Sequence, residues 1–252
     1  MNVQLAQRVQ RSFSRSFGTY HEAANQQARI ATDLAHLLRD HAAPDHFRSA
    51  LEFGCGTGHL TQRLNEFFTF DTFTVNDLSP KANSTARAVN ATFLPGDARV
   101  VEWPTQPDLI ATASMIQWLP DPVAFLRKAA SALAPGGWLA VSGFGPDQYH
   151  QLVHCGSTAK APGLCNPLDL IATIQDHLEI VTYGEARQEL RFTSPRDVLE
   201  HLRITGVNGR AQKGWTKSRL TQFTQDYTAQ FGDETGVSLT YHPIWVIARK
   251  PV

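Results

Sequence analysis

The fold is decided by residues 52–58, which read Glu-Phe-Gly-Cys-Gly-Thr-Gly. Residues 50–53, which read Ala-Leu-Glu-Phe, predict a short β-strand that ends in a glycine-rich turn. Glycines let the backbone turn tightly and let a ligand approach it closely. In doubly wound α/β sheets, ligands bind outside the carboxyl ends of the strands. The stretch therefore predicts a ligand-binding turn after the first strand of such a sheet, and the alternative is an ordinary glycine-rich turn.

Strand and helix patterns alternate on the carboxyl-terminal side of this turn. The clearest helix runs from Asp121, a predicted N-cap, through Pro122 at its first position to Leu133. Repeated strand–helix units predict an α/β fold with a parallel sheet covered by helices on both faces. Further strands are predicted at 73–77, 92–94, 108–112, 138–142, 179–183 and 237–248, and further helices at 167–177, 194–205 and 215–231.

The composition disfavours several classes of protein. Lys plus Arg and Asp plus Glu both number 23, so the basic excess of a nucleic-acid binder is missing. Cys55, Cys155 and Cys165 lack CxxC spacing and cannot all pair, which fits a reducing cytoplasm. His154, Cys155 and Cys165 have no fourth ligand at zinc-finger spacing, so we predict no metal site. No stretch reaches the roughly 20 apolar residues that span a bilayer, so we expect no membrane partner.

The glycine spacing separates two ligand classes. The dinucleotide fingerprint G-x-G-x-x-G would place its third glycine at position 59, which is His59, whereas the glycine is Gly58. An acidic residue, Glu52, also precedes the first glycine. S-adenosylmethionine has no phosphates, and a nearby carboxylate would favour its cationic methionine end. The turn therefore favours S-adenosylmethionine over a dinucleotide.

Polar residues follow the next two predicted strands. Asp77 is placed to accept two ribose hydroxyls, and Leu78 to lie against an adenine ring. Alternatively, Asp77 and Ser79 only cap the next helix; Ser79 precedes a proline and is the better cap, which would leave Asp77 free. Asp97, followed by Ala98, could accept from the adenine amino group, or the segment could be a common turn.

These features, in this order, resemble the class I S-adenosylmethionine-dependent methyltransferases. The resemblance covers about residues 48–145 and implies a Rossmann-like fold with a mostly parallel seven-stranded sheet. It also implies S-adenosylmethionine as cofactor and S-adenosylhomocysteine as product. The implied cofactor site consists of Glu52, Gly54, Cys55, Gly56, Gly58, Asp77, Leu78, Asp97, Ala98 and Ala113.

Short motifs along nearly the whole chain give a narrower resemblance. They are similar to the malonyl-[acyl-carrier protein] O-methyltransferases of biotin synthesis. Two positions depart from that pattern: Ala113 stands where Asn is usual, and residues 206–208 read Gly-Val-Asn where Gly-Ala is common. The matching motifs are residues 13–15, 19–20, 116–118, 144–146, 202–206, 215–216 and 239–241.

The resemblance implies methyl transfer to the free carboxylate of a malonyl group on the phosphopantetheine arm of acyl carrier protein. The resulting ester hides a charge and primes pimeloyl synthesis for biotin. A malonyl carboxylate is already ionised at neutral pH, so no catalytic base is expected. The enzyme has to align the reacting atoms and exclude water.

The substrate side of the site is predicted with open alternatives. Arg203 is our candidate for holding the malonyl carboxylate, and the alternative is that it lies on a solvated helix face. Gln117 and Trp118 would meet the substrate after the fourth strand, or Trp118 could pack in the core. Tyr20 would close the site from above, or pack the amino-terminal helices together.

The domain organisation follows from these assignments. We expect a single domain over 1–252, with a helical lid at 1–45, a cofactor-binding core at 48–145 and a helical insertion at 190–232. Residues 187–219 carry eight basic and three acidic side chains and could receive an acidic carrier protein, or form an ordinary solvated surface. The alternatives are a methyltransferase for a free carboxylic acid or quinone precursor, and a cofactor-binding scaffold without catalysis.

Overall fold

The computed structural model describes residues 25–41, 43–157, 160–205 and 216–252. They form two compact units, one from 25–145, 162–185 and 243–252, the other from 146–161 and 186–242 within the described ranges. The strands are β1 (His46–Phe53), β2 (Thr69–Asp77), β3 (Thr92–Pro95), β4 (Leu109–Thr112), β5 (Trp138–Phe144), β6 (Glu179–Glu185), β7 (Gln188–Phe192), β8 (Gly232–Asp233), β9 (Gly236–Tyr241) and β10 (Pro243–Arg249). The α-helices are α1 (Asn25–Asp40), α2 (His59–Phe67), α3 (Asn83–Ala88), α4 (Pro122–Ala132), α5 (His150–His154), α6 (Pro167–Ile174), α7 (Pro195–Ile204) and α8 (Lys217–Phe231).

The larger unit is built on a seven-stranded sheet in the order β3-β2-β1-β4-β5-β10-β6. Strands β1 to β5 pair in parallel, and β10 runs antiparallel to both β5 and β6. Every residue of β4 and β5 is buried, as expected for strands that helices cover on both faces. The predicted α/β fold with a mostly parallel seven-stranded sheet is therefore confirmed. Asp121 caps α4 as predicted, because its carboxylate accepts the Ala124 N–H at 2.9 Å.

Helix α1 belongs to the layer that covers this sheet. Its apolar face, which includes Leu34 and Leu38, is buried, and the helix packs against α2, β5 and β10. The described part of the expected lid over 1–45 is thus a core helix. The lid remains a prediction for the residues before Asn25, and Tyr20 lies outside the described residues.

The smaller unit carries a three-stranded antiparallel sheet in the order β7-β9-β8, together with α5, α7 and α8. The expected insertion at 190–232 therefore includes sheet as well as helices. The prediction of one strand over 237–248 is wrong, since β9 and β10 belong to different sheets. Both strands are almost entirely buried, so no change of periodicity marks the break, and only Pro243, at the first position of β10, signals it. No described helix is long and apolar enough to cross a membrane.

Candidate cofactor and active site

The predicted site residues of the larger unit meet at one edge of its sheet. Phe53 at the end of β1 pairs in register with Asn76 of β2 and Thr112 of β4, and Asp77 pairs with Pro95 of β3. The carboxyl ends of these parallel strands are thus level with one another. The turn after β1 lies where strand order reverses, with β2 on one side of β1 and β4 on the other. Ligands bind at this position in open α/β sheets.

The glycine turn is held open by its backbone conformation. Gly54, Gly56 and Gly58 have φ values of 68°, 48° and 94°, in a backbone region that residues with a side chain rarely adopt. A Cβ at Gly54 would come within 2.6 Å of the Met115 side chain, whereas at Gly56 its nearest neighbour would be the Gly54 oxygen at 4.0 Å. The Cys55 N–H donates to the Asn76 carbonyl at 3.0 Å and fixes the turn to β2. The turn therefore leaves open space beside Gly56 for a ligand.

Glu52 is a buried acid beside this turn. Its side chain is 1% exposed, and Oε2 has no hydrogen-bond partner among the described residues. The pKa of Glu52 is raised to about 8, mainly by burial; the Thr61 hydroxyl opposes this shift and the neighbouring Asp77 carboxylate adds to it. An unpaired buried carboxyl group is costly unless a partner arrives, so Glu52 fits a site that receives a cationic ligand.

Asp77 is held by two backbone donors at the end of β2. Its Oδ2 accepts the Gly56 N–H at 2.9 Å, and Oδ1 accepts the Ser79 N–H at 2.7 Å. Burial raises the pKa of Asp77, and these two N–H groups oppose the shift. Ser79 lies at the N-cap position before Pro80 as predicted, but its side chain makes no capping hydrogen bond, and Asp77 instead accepts its backbone N–H. Each Asp77 oxygen keeps acceptor capacity for a hydroxyl of a ligand, and Leu78 is half-buried beside it.

Asp97 and Ala98 lie in a turn after β3. Both Asp97 oxygens accept from the guanidinium of Arg99, and Oδ1 also accepts the Arg99 backbone N–H at 3.0 Å. This pairing lowers the pKa of Asp97. The sequence reasoning missed Arg99, although an arginine two residues after an acid was a visible signal. Ala98 is buried, and its carbonyl accepts the Trp103 indole N–H at 2.9 Å.

The end of β4 carries a cluster of buried polar atoms. Ser114, directly after Ala113, has φ 54° and donates its backbone N–H to Ser142 of β5 at 3.1 Å. Gln117 donates its side-chain N–H to the Ser114 carbonyl at 2.5 Å. Three atoms here, Gln117 Oε1 and the two serine hydroxyl oxygens, are buried without a partner among the described residues. Gln117 is thus placed at the sheet edge as predicted, with half-buried Trp118 beside it, and the two serines are residues that the sequence reasoning missed.

Arg203 lies in the smaller unit, on the exposed face of α7. Its Nε donates to Glu200 at 2.8 Å, and a second guanidinium nitrogen also reaches that carboxylate. This pairing raises the pKa of Arg203. Arg203 thus lies on a solvated helix face, as its alternative interpretation had it, and its substrate role stays a prediction.

The positive charge of residues 187–219, the basic segment, is offset more than the sequence within that window implied. Arg187 pairs with Asp147, and Arg191 pairs with Asp233 as well as Glu189. These two aspartates lie outside the window 187–219, so counting charge within that window overlooked them. Arg210 and Lys213 lie outside the described residues, and among the described ones Arg196, Lys217 and Arg219 are exposed.

Several known proteins of similar sequence share one name. A malonyl-[acyl-carrier protein] O-methyltransferase of Bacteroides thetaiotaomicron is 33% identical, over 94% of this chain and 95% of that protein. One from Haemophilus influenzae is 34% identical, over 96% of this chain and 94% of that protein. The chain belongs to the malonyl-[acyl-carrier protein] O-methyltransferase family. A relative from Bacteroides fragilis is 35% identical over 96% of this chain, which spans 50% of that protein's length.

Other comparisons agree with a methyltransferase. A family model described as "Methyltransferase domain" matches residues 51–139, which include the glycine turn, Asp77 and Asp97. Among solved structures, the YcgJ protein of Bacillus subtilis has a TM-score of 0.60 at 15% identity, covering 87% of this chain and 98% of that one. The N-methyltransferase NodS of Bradyrhizobium japonicum, in complex with S-adenosylhomocysteine, has a TM-score of 0.51 at 16% identity, covering 93% and 99%. These structures establish the shared fold of this family member.

Proposed function

We propose that the protein transfers a methyl group from S-adenosylmethionine to the free carboxylate of malonyl-acyl carrier protein, giving the methyl ester that primes pimeloyl synthesis for biotin. The observation that carries the proposal is the family membership over nearly the whole chain. The larger unit agrees with it, because its acidic residues and its open glycine turn lie together at the carboxyl ends of aligned parallel strands. The family model and the S-adenosylhomocysteine complex of NodS support the choice of cofactor.

The residues present fit this cofactor. Glu52 would face its cationic amino-acid end, Asp77 its ribose hydroxyls and Asp97 its adenine amino group, with Leu78 against the ring. The cofactor site would be lined by Gly54, Cys55, Gly56, Gly58, Ala98 and Ala113. When bound, S-adenosylmethionine supplies a methyl group on a positively charged sulfur, which is already activated for transfer. A cation beside Glu52 would favour the ionised form of its buried carboxyl group.

The protein needs no general base for this reaction. A malonyl carboxylate is ionised at neutral pH and can attack the methyl carbon without losing a proton. The nearest internal rival as a nucleophile is Cys55, in the glycine turn itself. Burial, together with the acidic groups of Glu52 and Asp77, raises the pKa of the Cys55 thiol. Cys55 therefore stays a neutral thiol and does not compete for the methyl group.

The acceptor side rests on three further assignments. Gln117 and Trp118 follow β4 at the carboxyl edge and would meet the arriving malonyl group. Arg203 would hold the malonyl carboxylate by exchanging it for the Glu200 carboxylate that it binds at 2.8 Å. The exposed cations Arg196, Lys217 and Arg219 would face the acidic carrier protein.

An acceptor series tests the proposal. The protein is incubated with methyl-labelled S-adenosylmethionine and one acceptor at a time: malonyl-, succinyl- or acetyl-carrier protein, each on the same carrier, or free malonate. We expect label on malonyl-carrier protein and none on acetyl-carrier protein, which has no free carboxylate. Equal labelling of all three would place the acceptor on the carrier protein itself. Labelling of free malonate at the rate of the carrier-bound substrate would favour a small-molecule methyltransferase and overturn the proposal.

A further inference from the structure

We propose that Arg99 is a positioning residue that makes the site specific for a 6-amino purine, because it holds the Asp97 carboxylate with one acceptor position left for the base. The proposal rests on the proposed function, since it takes adenine as the base of the bound nucleoside.

The turn that carries the pair is rigid. Gly96, with φ 129°, donates its N–H to the Asp77 carbonyl at 2.9 Å, and its own carbonyl accepts from the buried Asn76 side chain at 2.9 Å. The Val101 N–H returns to the Asp97 carbonyl at 3.0 Å. A Cβ at Gly96 would come within 2.8 Å of the Val101 side chain, so the turn packs tightly against itself. The backbone of Asp97 is thereby fixed to the end of β2, where Asp77 would hold the ribose.

The acceptor capacity of Asp97 is nearly filled. A carboxylate offers about four lone-pair positions, two on each oxygen. Oδ1 accepts both the Arg99 backbone N–H at 3.0 Å and the guanidinium Nε at 2.9 Å, and Oδ2 accepts from Nη2. Three positions are occupied, and one remains on Oδ2. An exocyclic amino group brings one N–H that can fill it, whereas the keto oxygen of a 6-keto purine is a second acceptor and would be repelled.

The ion pair also keeps Asp97 an acceptor. The two side chains are 23% and 31% exposed, so solvent screens their attraction less than that of a surface pair. Among the described residues, Arg99 has no acidic partner besides Asp97. The guanidinium lowers the pKa of Asp97, so Oδ2 stays an acceptor to a lower pH than it would without Arg99. A protonated Oδ2 would donate to a keto oxygen and reverse the preference.

The test compares the binding of two nucleosides, without turnover. Calorimetry measures the Kd of S-adenosylhomocysteine and of S-inosylhomocysteine, which carries a keto group in place of the amino group. We expect the wild type to prefer the adenosyl compound by about 10- to 100-fold, the contribution of a hydrogen bond to a charged group. Arg99→Ala should lose most of this preference. Arg99→Lys keeps the positive charge but not the bidentate hydrogen bonds, so its preference should lie between those of the wild type and Arg99→Ala. Asp97→Asn can present either an oxygen or an amide N–H and should bind both compounds alike.

A matched control removes another arginine–carboxylate pair from the same unit. Arg63→Ala breaks an exposed pair with Glu66 on α2 and should leave the preference unchanged. The pH dependence gives a second measurement: acid should abolish the preference at a higher pH in Arg99→Ala than in the wild type, because Asp97 then lacks its cation. A folded Arg99→Ala protein with wild-type preference would overturn the role of Arg99 alone. A wild type that binds neither compound would overturn the cofactor assignment as well.

Discussion

Replacing Glu52 by Gln should change how protein stability depends on pH. The Glu52 pKa is raised from 4.5 to about 8, mainly by burial, so the folded protein keeps this proton where the unfolded chain releases it. The stability that the neutral acid contributes is complete below about pH 4.5 and is lost as pH rises towards 8. The full loss is about 5 kcal/mol, because each pKa unit corresponds to about 1.4 kcal/mol. Between pH 5 and 7.5 the wild type should lose about 3 kcal/mol that Glu52→Gln keeps.

Urea unfolding at a series of pH values measures this difference. The free energies of unfolding of the wild type and Glu52→Gln are subtracted at each pH, so that titrations common to both cancel. The difference should rise by about 1.4 kcal/mol per pH unit between pH 5.5 and 7.5. Glu179→Gln, at an exposed position of β6, is the matched control and should give no such slope. A flat difference for Glu52→Gln would refute the neutral buried acid.

Three further predictions concern ligands and catalysis. Asp77→Ala should weaken S-adenosylhomocysteine binding by about 2 to 5 kcal/mol in a folded protein, because charge-assisted bonds to the ribose are lost; near-normal affinity by calorimetry would remove the ribose assignment. With both substrates saturating and chemistry limiting, the rate should be nearly level between pH 6 and 8, whereas a tenfold rise per pH unit would indicate a general base. The specificity constant for malonyl-carrier protein should fall as the salt concentration rises from 0.1 M to 1 M, because the Debye length shrinks from about 10 Å to about 3 Å. Charge reversal at Lys217 and Arg219 should reproduce this loss at low salt. Equal salt sensitivity of a small malonyl thioester would contradict the docking surface.

The sequence was sufficient for the parts of the molecule that repeat a general pattern. Buried parallel strands are short apolar runs, and glycines or acids at their carboxyl ends stand out against them. Glu52, Asp77 and Asp97 were therefore found at three strand ends, and the structure brings these strand ends to one edge. The family resemblance, confirmed by the comparisons, added the substrate class that no residue pattern specifies by itself.

The features that the sequence did not predict depend on contacts between segments far apart in the chain, or on the exact path of the backbone. Asp147 and Asp233 neutralise Arg187 and Arg191 from 40 and 42 residues away, so no local count of charge could include them. The break between β9 and β10 lies within one buried run, where periodicity has no signal. Arg99 differs from these cases, because its pairing with Asp97 depends on the path of a tight turn.

Product analysis after a single turnover tests the central claim most directly. Malonyl-carrier protein is incubated with the enzyme and trideuteromethyl-labelled S-adenosylmethionine. The mass of the intact carrier protein is then measured by mass spectrometry before and after mild base treatment. The account predicts a gain of one trideuteromethyl group on the malonyl arm, which base releases as trideuteromethanol because the group is held as an ester of the free carboxylate. A base-stable label, or one on the carrier polypeptide, would contradict methyl transfer to the malonyl carboxylate.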